Sequence, residues 1–119
     1  MDDADFASQT ASVNGTTLHH VRGGAGPTVL LIHGFRQDGY EWRYVMPLAR
    51  RFSVVAVDLP GVGGSGAPDA GHDAPTMAID VAELVDGLGV GPVHVVGHDV
   101  GGWVAYALGR LGPDLARSI

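Results

Sequence analysis

The segment Gly97-His98-Asp99-Val100-Gly101 sets an acidic side chain at the centre of a glycine-flanked turn. This spacing, G-x-Nu-x-G, is typical of a nucleophile elbow, in which small residues allow a sharp strand-to-helix turn that lifts the central side chain above a sheet. The central residue is usually Ser, whereas here it is Asp99. Because a carboxylate is already ionised at neutral pH, it can attack carbon without a base to activate it.

An aspartate nucleophile favours particular substrates. Attack of Asp99 on an acyl carbon would give an unstable anhydride, but attack on an sp³ carbon with a leaving group or in a strained ring gives an alkyl ester that water can cleave. The alternative is that Asp99 only caps the following helix, which is a common role for Asp. The flanking glycines and the buried strand expected before the turn favour the nucleophile.

A second candidate segment, His33-Gly34-Phe35-Arg36, follows the apolar run at residues 28–32. A backbone N–H in this loop, together with that of Val100, could hold the oxyanion that forms when water attacks the ester. An ordinary strand-to-helix turn is the alternative, and His33 is interpreted as a side chain that stabilises the turn rather than as a base. The residues expected to line the site around Asp99 are His33, Gly34, Arg36 and His98.

The third candidate, residues 61–66 (GVGGSG), satisfies G-x-G-x-x-G, the fingerprint of dinucleotide binding. That fingerprint requires the loop to open directly into a helix whose N-terminus holds the pyrophosphate, but the next predicted helix begins only near Pro75. No cofactor is therefore predicted. Asp58 and Ser65 are interpreted as residues that brace this loop by hydrogen bonds.

Charge and composition exclude several classes of partner. The 119 residues include 7 basic side chains, all of them Arg, against 13 acidic ones, for a net charge of −6. A nucleic-acid binder needs a basic stripe to neutralise phosphates, so nucleic acid is not expected as a partner. The N-terminus is acidic where a signal peptide is basic, and no apolar run approaches the ~18 residues of a membrane span. We therefore expect a cytoplasmic protein that acts on a small molecule and does not engage a membrane.

No metal site is predicted, although the chain has six histidines and no cysteine. His94 and His98 are four residues apart, but that spacing joins ligands on a helix, and His94 lies in a predicted strand. His19 and His20 point to opposite faces of another strand.

The elements that must position these segments alternate regularly along the chain. Asn14-Gly15 predicts a two-residue hairpin turn. The pattern predicts flanking strands at residues 8–13 and 16–22, buried strands at 28–32, 53–57 and 92–96, and helices at 40–52, 76–88 and 101–111, with Pro47 breaking or restarting the first helix. A hairpin followed by strand–helix repeats predicts an α/β fold, a mostly parallel sheet with helices on both faces, whose chemistry lies at the carboxyl ends of the strands.

The residues singled out above resemble those of a known family. Residues 33–66 contain His-Gly-Phe and D-L-x-G-x-G-x-S, and residues 97–102 read G-H-D-x-G-G. Together they are similar to the N-terminal half of α/β-hydrolases, and more narrowly to the epoxide hydrolase and dehalogenase branch, in which the nucleophile is Asp. The likeness covers almost all of residues 10–119. It implies Asp99 as the nucleophile and the backbone amides of Phe35 and Val100 as the oxyanion hole.

Departures from the family pattern narrow the implied activity. Members commonly carry Pro after His-Gly-Phe, where this chain has Arg36. Haloalkane dehalogenases cradle the halide with a Trp after the nucleophile and an Asn after His-Gly, positions held here by Val100 and Phe35. Fluoroacetate dehalogenases place Arg where Val100 stands. The resemblance therefore implies a hydrolase acting through an alkyl ester on Asp99, with epoxide hydrolysis favoured over dehalogenation.

The length of the chain carries a further expectation. In the family the acid, the general-base His and the lid follow later strands, and none of the six histidines occupies the base position. Residues 1–119 are therefore expected to be the N-terminal portion of a single α/β-hydrolase domain, truncated before the later strands and lid and inactive alone. A non-catalytic binding protein of this fold and a purely structural fragment stay open as alternatives. We also expect the strand at 92–96 to be an unpaired apolar edge, which would make the isolated chain poorly soluble or oligomeric.

Overall fold

An N-terminal hairpin opens the fold. The computed structural model describes residues 6–34, 38–67, 73–112 and 114–119. Strands β1 (Phe6–Val13) and β2 (Thr16–Gly23) pair in antiparallel register, with Val13 opposite Thr16. Asn14 and Gly15 have φ angles of 46° and 78°. Positive φ at both central residues is what a type I′ turn requires, so the predicted two-residue hairpin is confirmed.

Four further strands complete a six-stranded sheet. They are β3 (Thr28–Ile32), β4 (Ser53–Val57), β5 (Val93–Gly97) and β6 (Ala116–Ser118). The strand order is β1-β2-β4-β3-β5-β6. Strand β2 is antiparallel to β4, whereas β4, β3, β5 and β6 are parallel to one another. Every residue of β3 and β4 is buried, as expected of strands covered on both faces. The predicted α/β fold with a mostly parallel sheet is confirmed.

Two α-helices cover one face of the sheet. Helix α1 (Ala74–Leu88) begins after Asp73, whose carboxylate accepts a hydrogen bond from the N–H of Thr76 at 3.1 Å, and helix α2 spans Val100–Leu111. Neither helix, nor any other within the described ranges, is long and apolar enough to cross a membrane. The two helices share a single buried cluster with the sheet, to which they contribute Val81, Leu84, Val104 and Leu108.

The opposite face is covered in a way that the sequence pattern did not predict. Residues 40–52, predicted as a helix that Pro47 breaks or restarts, form two short 3-10 helices, Gly39–Trp42 and Met46–Arg50. Pro47 lies in the first turn of the second, where its missing N–H leaves no helical hydrogen bond unmade. Pro47 therefore restarts the helical structure, as predicted, and a continuous α-helix is absent from this stretch. The side chains that close this second cluster are Trp42, Ala49 and Phe52.

Strand β5 is not the edge of the sheet, so that prediction is wrong. Val93 pairs with Ala116, and His94 pairs with Ser118, in parallel register. The Nδ1 of His94 also lies 2.7 Å from the Oγ of Ser118. The three residues of β6 thus pair with the first two residues of β5, at the edge where an aggregation hazard was expected.

Candidate active site

The carboxyl ends of β3, β4 and β5 lie at the same edge of the sheet. Ile32 on β3 pairs with Val57 on β4 and with Gly97 on β5. The segments that follow these three residues therefore leave the sheet side by side at one edge. In parallel sheets this edge is where ligands and reacting groups gather. The structure thus brings together the three strand ends that the sequence analysis singled out.

The turn between β5 and α2 holds Asp99 in an unusual backbone conformation. Its φ is 56° and its ψ is −116°, and positive φ is uncommon for any residue with a side chain. Two neighbours allow this turn because they are glycines. A Cβ on Gly97 would lie 2.2 Å from the carbonyl oxygen of Gly101, and a Cβ on Gly101 would lie 2.1 Å from that of Ile32. The glycine spacing seen in the sequence is therefore a steric requirement of the turn.

Backbone hydrogen bonds fix this turn to both of its neighbours. The N–H of His98 donates to the carbonyl oxygen of Ile32 at 3.0 Å, and the N–H of Gly102 donates to that of Asp99 at 2.9 Å. Asp99 occupies the N-cap position of α2, but its side chain makes no capping hydrogen bond, and the residue is exposed. These observations do not support the alternative that Asp99 serves only as a helix cap.

The start of α2 favours negative charge beside Asp99. Val100 is the first residue of the helix. The N–H groups of a first turn have no carbonyl partner within their helix, and the helix dipole adds partial positive charge at this end. Both properties fit the predicted role of Val100 as an oxyanion donor, which stays a prediction.

In the loop after β3 the structure describes His33 and Gly34, while Phe35 and Arg36 lie outside the described residues. His33 is buried, its Nε2 accepts a hydrogen bond from the N–H of Leu59 at 2.9 Å, and its Nδ1 lies 2.9 Å from the carbonyl oxygen of Gly34. An Nε2 that accepts leaves Nδ1 as the donor, so both ring nitrogens are engaged. The interpretation of His33 as a turn-stabilising side chain is confirmed. The amide donor at Phe35 and the lining role of Arg36 stay predictions.

Glu41, which the sequence analysis did not single out, connects this loop to the Asp99 turn. Its Oε2 accepts a hydrogen bond from the N–H of Gly34 at 2.8 Å, and its Oε1 lies 2.7 Å from the Nδ1 of His98. The N–H of Gly34 is thus already used, so it is not the donor that the predicted oxyanion hole requires. No local pattern marks Glu41 for this role, because its two partners come from distant parts of the chain.

The glycine-rich loop after β4 folds around Asp58. The Oδ2 of Asp58 accepts a hydrogen bond from the N–H of Gly64 at 3.0 Å and lies 2.7 Å from the Nδ1 of His19. The hydroxyl of Ser65 donates to the carbonyl oxygen of Asp58 and accepts from the N–H of His19. The bracing roles predicted for Asp58 and Ser65 are confirmed. An amide of the G-x-G-x-x-G loop therefore faces a carboxylate, and α1 begins only at Ala74.

The other titratable groups are dispersed. Within the described part of the chain, no three His, Asp or Glu side chains lie close enough to share a metal ion.

His20 is buried in the sheet, and this burial, reinforced by the neighbouring His19, lowers its pKa below the ordinary value of 6.5. Burial thus favours the neutral imidazole at this position, because desolvation penalises the charged form.

Comparison with known proteins adds family relationships to this geometry. A family model for the alpha/beta hydrolase fold matches residues 27–119. The chain is 46% identical over 116 residues to the soluble epoxide hydrolase of Corynebacterium sp. (strain C12), and 41% identical over 120 residues to a fluoroacetate dehalogenase of Burkholderia sp.. These matches cover 97% and 96% of this chain but 41% and 40% of the two relatives.

A solved structure shows the same relationship. The ligand-free epoxide hydrolase CorEH superposes on this chain with a TM-score of 0.91 at 46% sequence identity. The superposition covers 93% of this chain and 40% of CorEH. The chain therefore spans about two fifths of the length of the proteins it resembles.

Proposed function

Because the chain belongs to the α/β-hydrolase fold family, we propose that it supplies the nucleophile of a hydrolase that acts through a covalent alkyl ester on Asp99, with an epoxide as the favoured substrate. The observation that carries this proposal is the backbone of Asp99, which has a φ of 56° at the tip of a glycine-flanked turn. Backbone strain of this kind persists only where the surrounding structure enforces it, and it is typical of functional sites. The 46% identity to a soluble epoxide hydrolase supports the choice of substrate.

The first step is attack by a carboxylate oxygen of Asp99 on a ring carbon of the epoxide. The new C–O bond forms as one ring C–O bond breaks, and the ring oxygen, still bonded to the other ring carbon, becomes an alkoxide that takes up a proton from water. All atoms of the epoxide stay in the adduct. The product is a hydroxyalkyl ester of Asp99, heavier than the free chain by the mass of the whole epoxide.

The second step is attack by water on the carbonyl carbon of that ester, which releases a diol and restores the carboxylate. When water adds, and before the diol leaves, negative charge develops on the carbonyl oxygen of the ester. The N–H of Val100 at the positive end of α2 is proposed to donate to it. Because the N–H of Gly34 donates to Glu41, we assign the second donor to the next residue of the loop, Phe35.

The base that activates water is proposed to lie outside residues 1–119. Among the described residues, two histidines adjoin the turn: His33 uses both ring nitrogens in bracing the loop, and His98 is paired through Nδ1 with Glu41. The chain spans 41% of its epoxide hydrolase relative. We therefore propose that residues 1–119 form the N-terminal portion of one domain whose remaining part supplies the acid, the base and the lid. Alone, the chain should complete the first step and show no sustained turnover.

Covalent labelling tests the proposal on the chain itself. After incubation with styrene oxide and proteolytic digestion, mass spectrometry should find the hydroxyalkyl adduct on Asp99. Asp99→Asn should lower labelling by about a hundredfold, because a neutral amide is a far poorer nucleophile than a carboxylate. Asp86→Asn, which changes an exposed carboxylate on α1, is the matched control and should leave the rate unchanged. Labelling spread evenly over surface carboxylates would overturn the proposal and favour the non-catalytic binding alternative.

Oxygen isotopes test the second step in a protein that carries this chain together with the remainder of the domain. A single turnover in water enriched in the heavy oxygen isotope should leave the heavy oxygen on the Asp99 side chain. The product should gain it only in later turnovers. Heavy oxygen in the first-turnover product would exclude covalent catalysis by Asp99.

The 41% identity to a fluoroacetate dehalogenase supports a second candidate substrate. Attack of Asp99 on fluoroacetate would expel fluoride and leave a carboxymethyl ester, which the same labelling assay detects by its mass. Val100 offers no positive charge to a substrate carboxylate, so fluoroacetate should label Asp99 more slowly than styrene oxide. Faster labelling by fluoroacetate would reverse the order of the two candidates.

A further inference from the structure

We infer that Glu41 is a positioning residue for the proposed reaction, because its carboxylate ties the loop after β3 to the residue that precedes the nucleophile. The inference rests on the proposed role of Asp99 and assigns a function to a side chain that carries no part of the chemistry itself. Glu41 acts through Gly34 and His98, and its effect is on the geometry of the turn.

The two oxygens of Glu41 serve different segments. Oε2 accepts the N–H of Gly34 at 2.8 Å, and Oε1 is paired with the Nδ1 of His98 at 2.7 Å. Both distances lie within the range of short, charge-assisted hydrogen bonds. The Glu41 side chain is 15% exposed, whereas that of His98 is 62% exposed. A carboxylate shielded from water holds its partners more firmly than an exposed one, because surrounding water competes less for its lone pairs.

Glu41 is itself held in place by its own short helix. Asp38 caps the 3-10 helix Gly39–Trp42 by accepting the N–H of Tyr40 at 2.9 Å. The next residue after Glu41, Trp42, packs into the buried cluster on that face of the sheet. Glu41 thus projects from an anchored segment, which is what a residue needs in order to position others.

The two segments that Glu41 joins are in direct contact at the nucleophile. A Cβ on Gly34 would lie 2.7 Å from the Nδ1 of His98 and 3.0 Å from the Cβ of Asp99. The backbone of the loop therefore passes against the Asp99 turn with no space for a side chain. A displacement of about 1 Å at such a contact is enough to lower the rate of a reaction that depends on the orientation of the attacking group. Loss of the Glu41 bridge should therefore slow bond formation by Asp99.

Three variants of the whole chain test this inference with styrene oxide as the probe. Glu41→Met keeps the length of the side chain and removes both acceptors. Glu41→Gln keeps a carbonyl oxygen for the N–H of Gly34 and offers an N–H to a neutral His98. Glu83→Met is the matched control, because Glu83 is the other glutamate of the chain and is exposed on α1.

The measurement is the rate of adduct formation on Asp99 as a function of styrene oxide concentration. We expect Glu41→Met to lower the saturating rate about tenfold, with the half-saturating concentration within about twofold of the parent chain, because orientation is lost and binding is not. Glu41→Gln should recover most of the rate, and Glu83→Met should equal the parent. Thermal unfolding of each variant, followed by circular dichroism, ensures that rates are compared between folded chains.

The outcomes separate this inference from the proposed function. Parent-like labelling in folded Glu41→Met would overturn the positioning role and leave the nucleophile in place. A rate for Glu41→Gln as low as that of Glu41→Met would also overturn it, because the amide preserves the bridge. Should Glu41→Met not fold, His98→Phe takes its place, because it removes the partner of Oε1 at an exposed side chain, and a parent-like saturating rate would then overturn the positioning role. Failure of the parent chain to label at Asp99 would overturn the proposed function itself.

Discussion

Two aspartates follow the strands that flank β3, and both stand in glycine-rich segments, yet their surroundings differ. Asp58 after β4 is 5% exposed, whereas Asp99 after β5 is exposed. Asp58 accepts the N–H of Gly64 and pairs with His19. Asp99 has positive φ and makes no capping bond to its helix. An acidic residue beside glycines is thus insufficient to mark a nucleophile.

The two aspartates differ in their surroundings because the segments that follow them have different structures. After Asp58 a loop closes on itself through a hydrogen bond from the N–H of Gly61 to the carbonyl oxygen of Gly66, and it brings the N–H of Gly64 back to the carboxylate. After Asp99 the chain enters α2 at once. The axis of this helix leads the chain away from the turn, whereas the loop after Asp58 returns to it. Loop length after the strand therefore separates the structural aspartate from the candidate nucleophile.

Gly101→Ala should have the largest effect on stability, because it removes the close approach that defines the Asp99 turn. The added Cβ would lie 2.1 Å from the carbonyl oxygen of Ile32 and 2.5 Å from that of His33. We expect the free energy of unfolding, measured in urea, to fall by about 3 kcal/mol. Gly102→Ala is the matched control, since its Cβ would meet nothing closer than 3.7 Å. Equal stability of the two variants would contradict the steric account of the turn.

Asp58→Ala should have the next largest effect, because it leaves the N–H of Gly64 and the Nδ1 of His19 without their shared acceptor. A loss of about 2 kcal/mol in the free energy of unfolding is expected. Asp86→Ala, at an exposed carboxylate on α1, should stay within about 0.5 kcal/mol of the parent. A variant of Asp58 that kept its stability but lost labelling at Asp99 would show that Asp58 acts in the chemistry and would end the contrast between the two aspartates.

Asp99→Gly should have the smallest effect on stability and the opposite sign. Glycine adopts a φ of 56° without the steric cost that a Cβ imposes. We expect the free energy of unfolding to rise by about 1 kcal/mol, while labelling by styrene oxide is lost. Asp99→Ala is the control, since it removes the carboxylate and keeps the Cβ, and it should lose labelling without gaining stability. A Gly variant no more stable than the Ala variant would show that the turn stores no backbone strain.

Local patterns predicted most of the elements that build this edge of the sheet. The strands at 28–32 and 53–57 match the structure residue for residue, because continuous apolar runs of that length fit strands buried on both faces. Asn14-Gly15 predicted the hairpin, because those residues accept positive φ. The helical structure predicted at residues 40–52 is present as two 3-10 helices and not as an α-helix, since each piece is too short to build one.

The candidate site was predictable only where its determinants are adjacent in the chain. The turn from Gly97 to Gly101 depends on which residues lack a Cβ, and that can be seen in five consecutive letters. The bridge from Glu41 to Gly34 and His98 was missed, because a lone glutamate is usually a solvated side chain.

The sequence by itself determined where the candidate nucleophile lies and which chemistry we propose for it, because a carboxylate between glycines at a strand-to-helix junction follows from residue type and local sterics alone. The tertiary structure decided which carboxylate is exposed and which is buried, and what surrounds each of them. The surroundings of each carboxylate depend on the strand register, in which Ile32 pairs with both Val57 and Gly97. Pairing between strands is a long-range property, since each strand selects its partner by the fit of the whole sheet and its two buried faces.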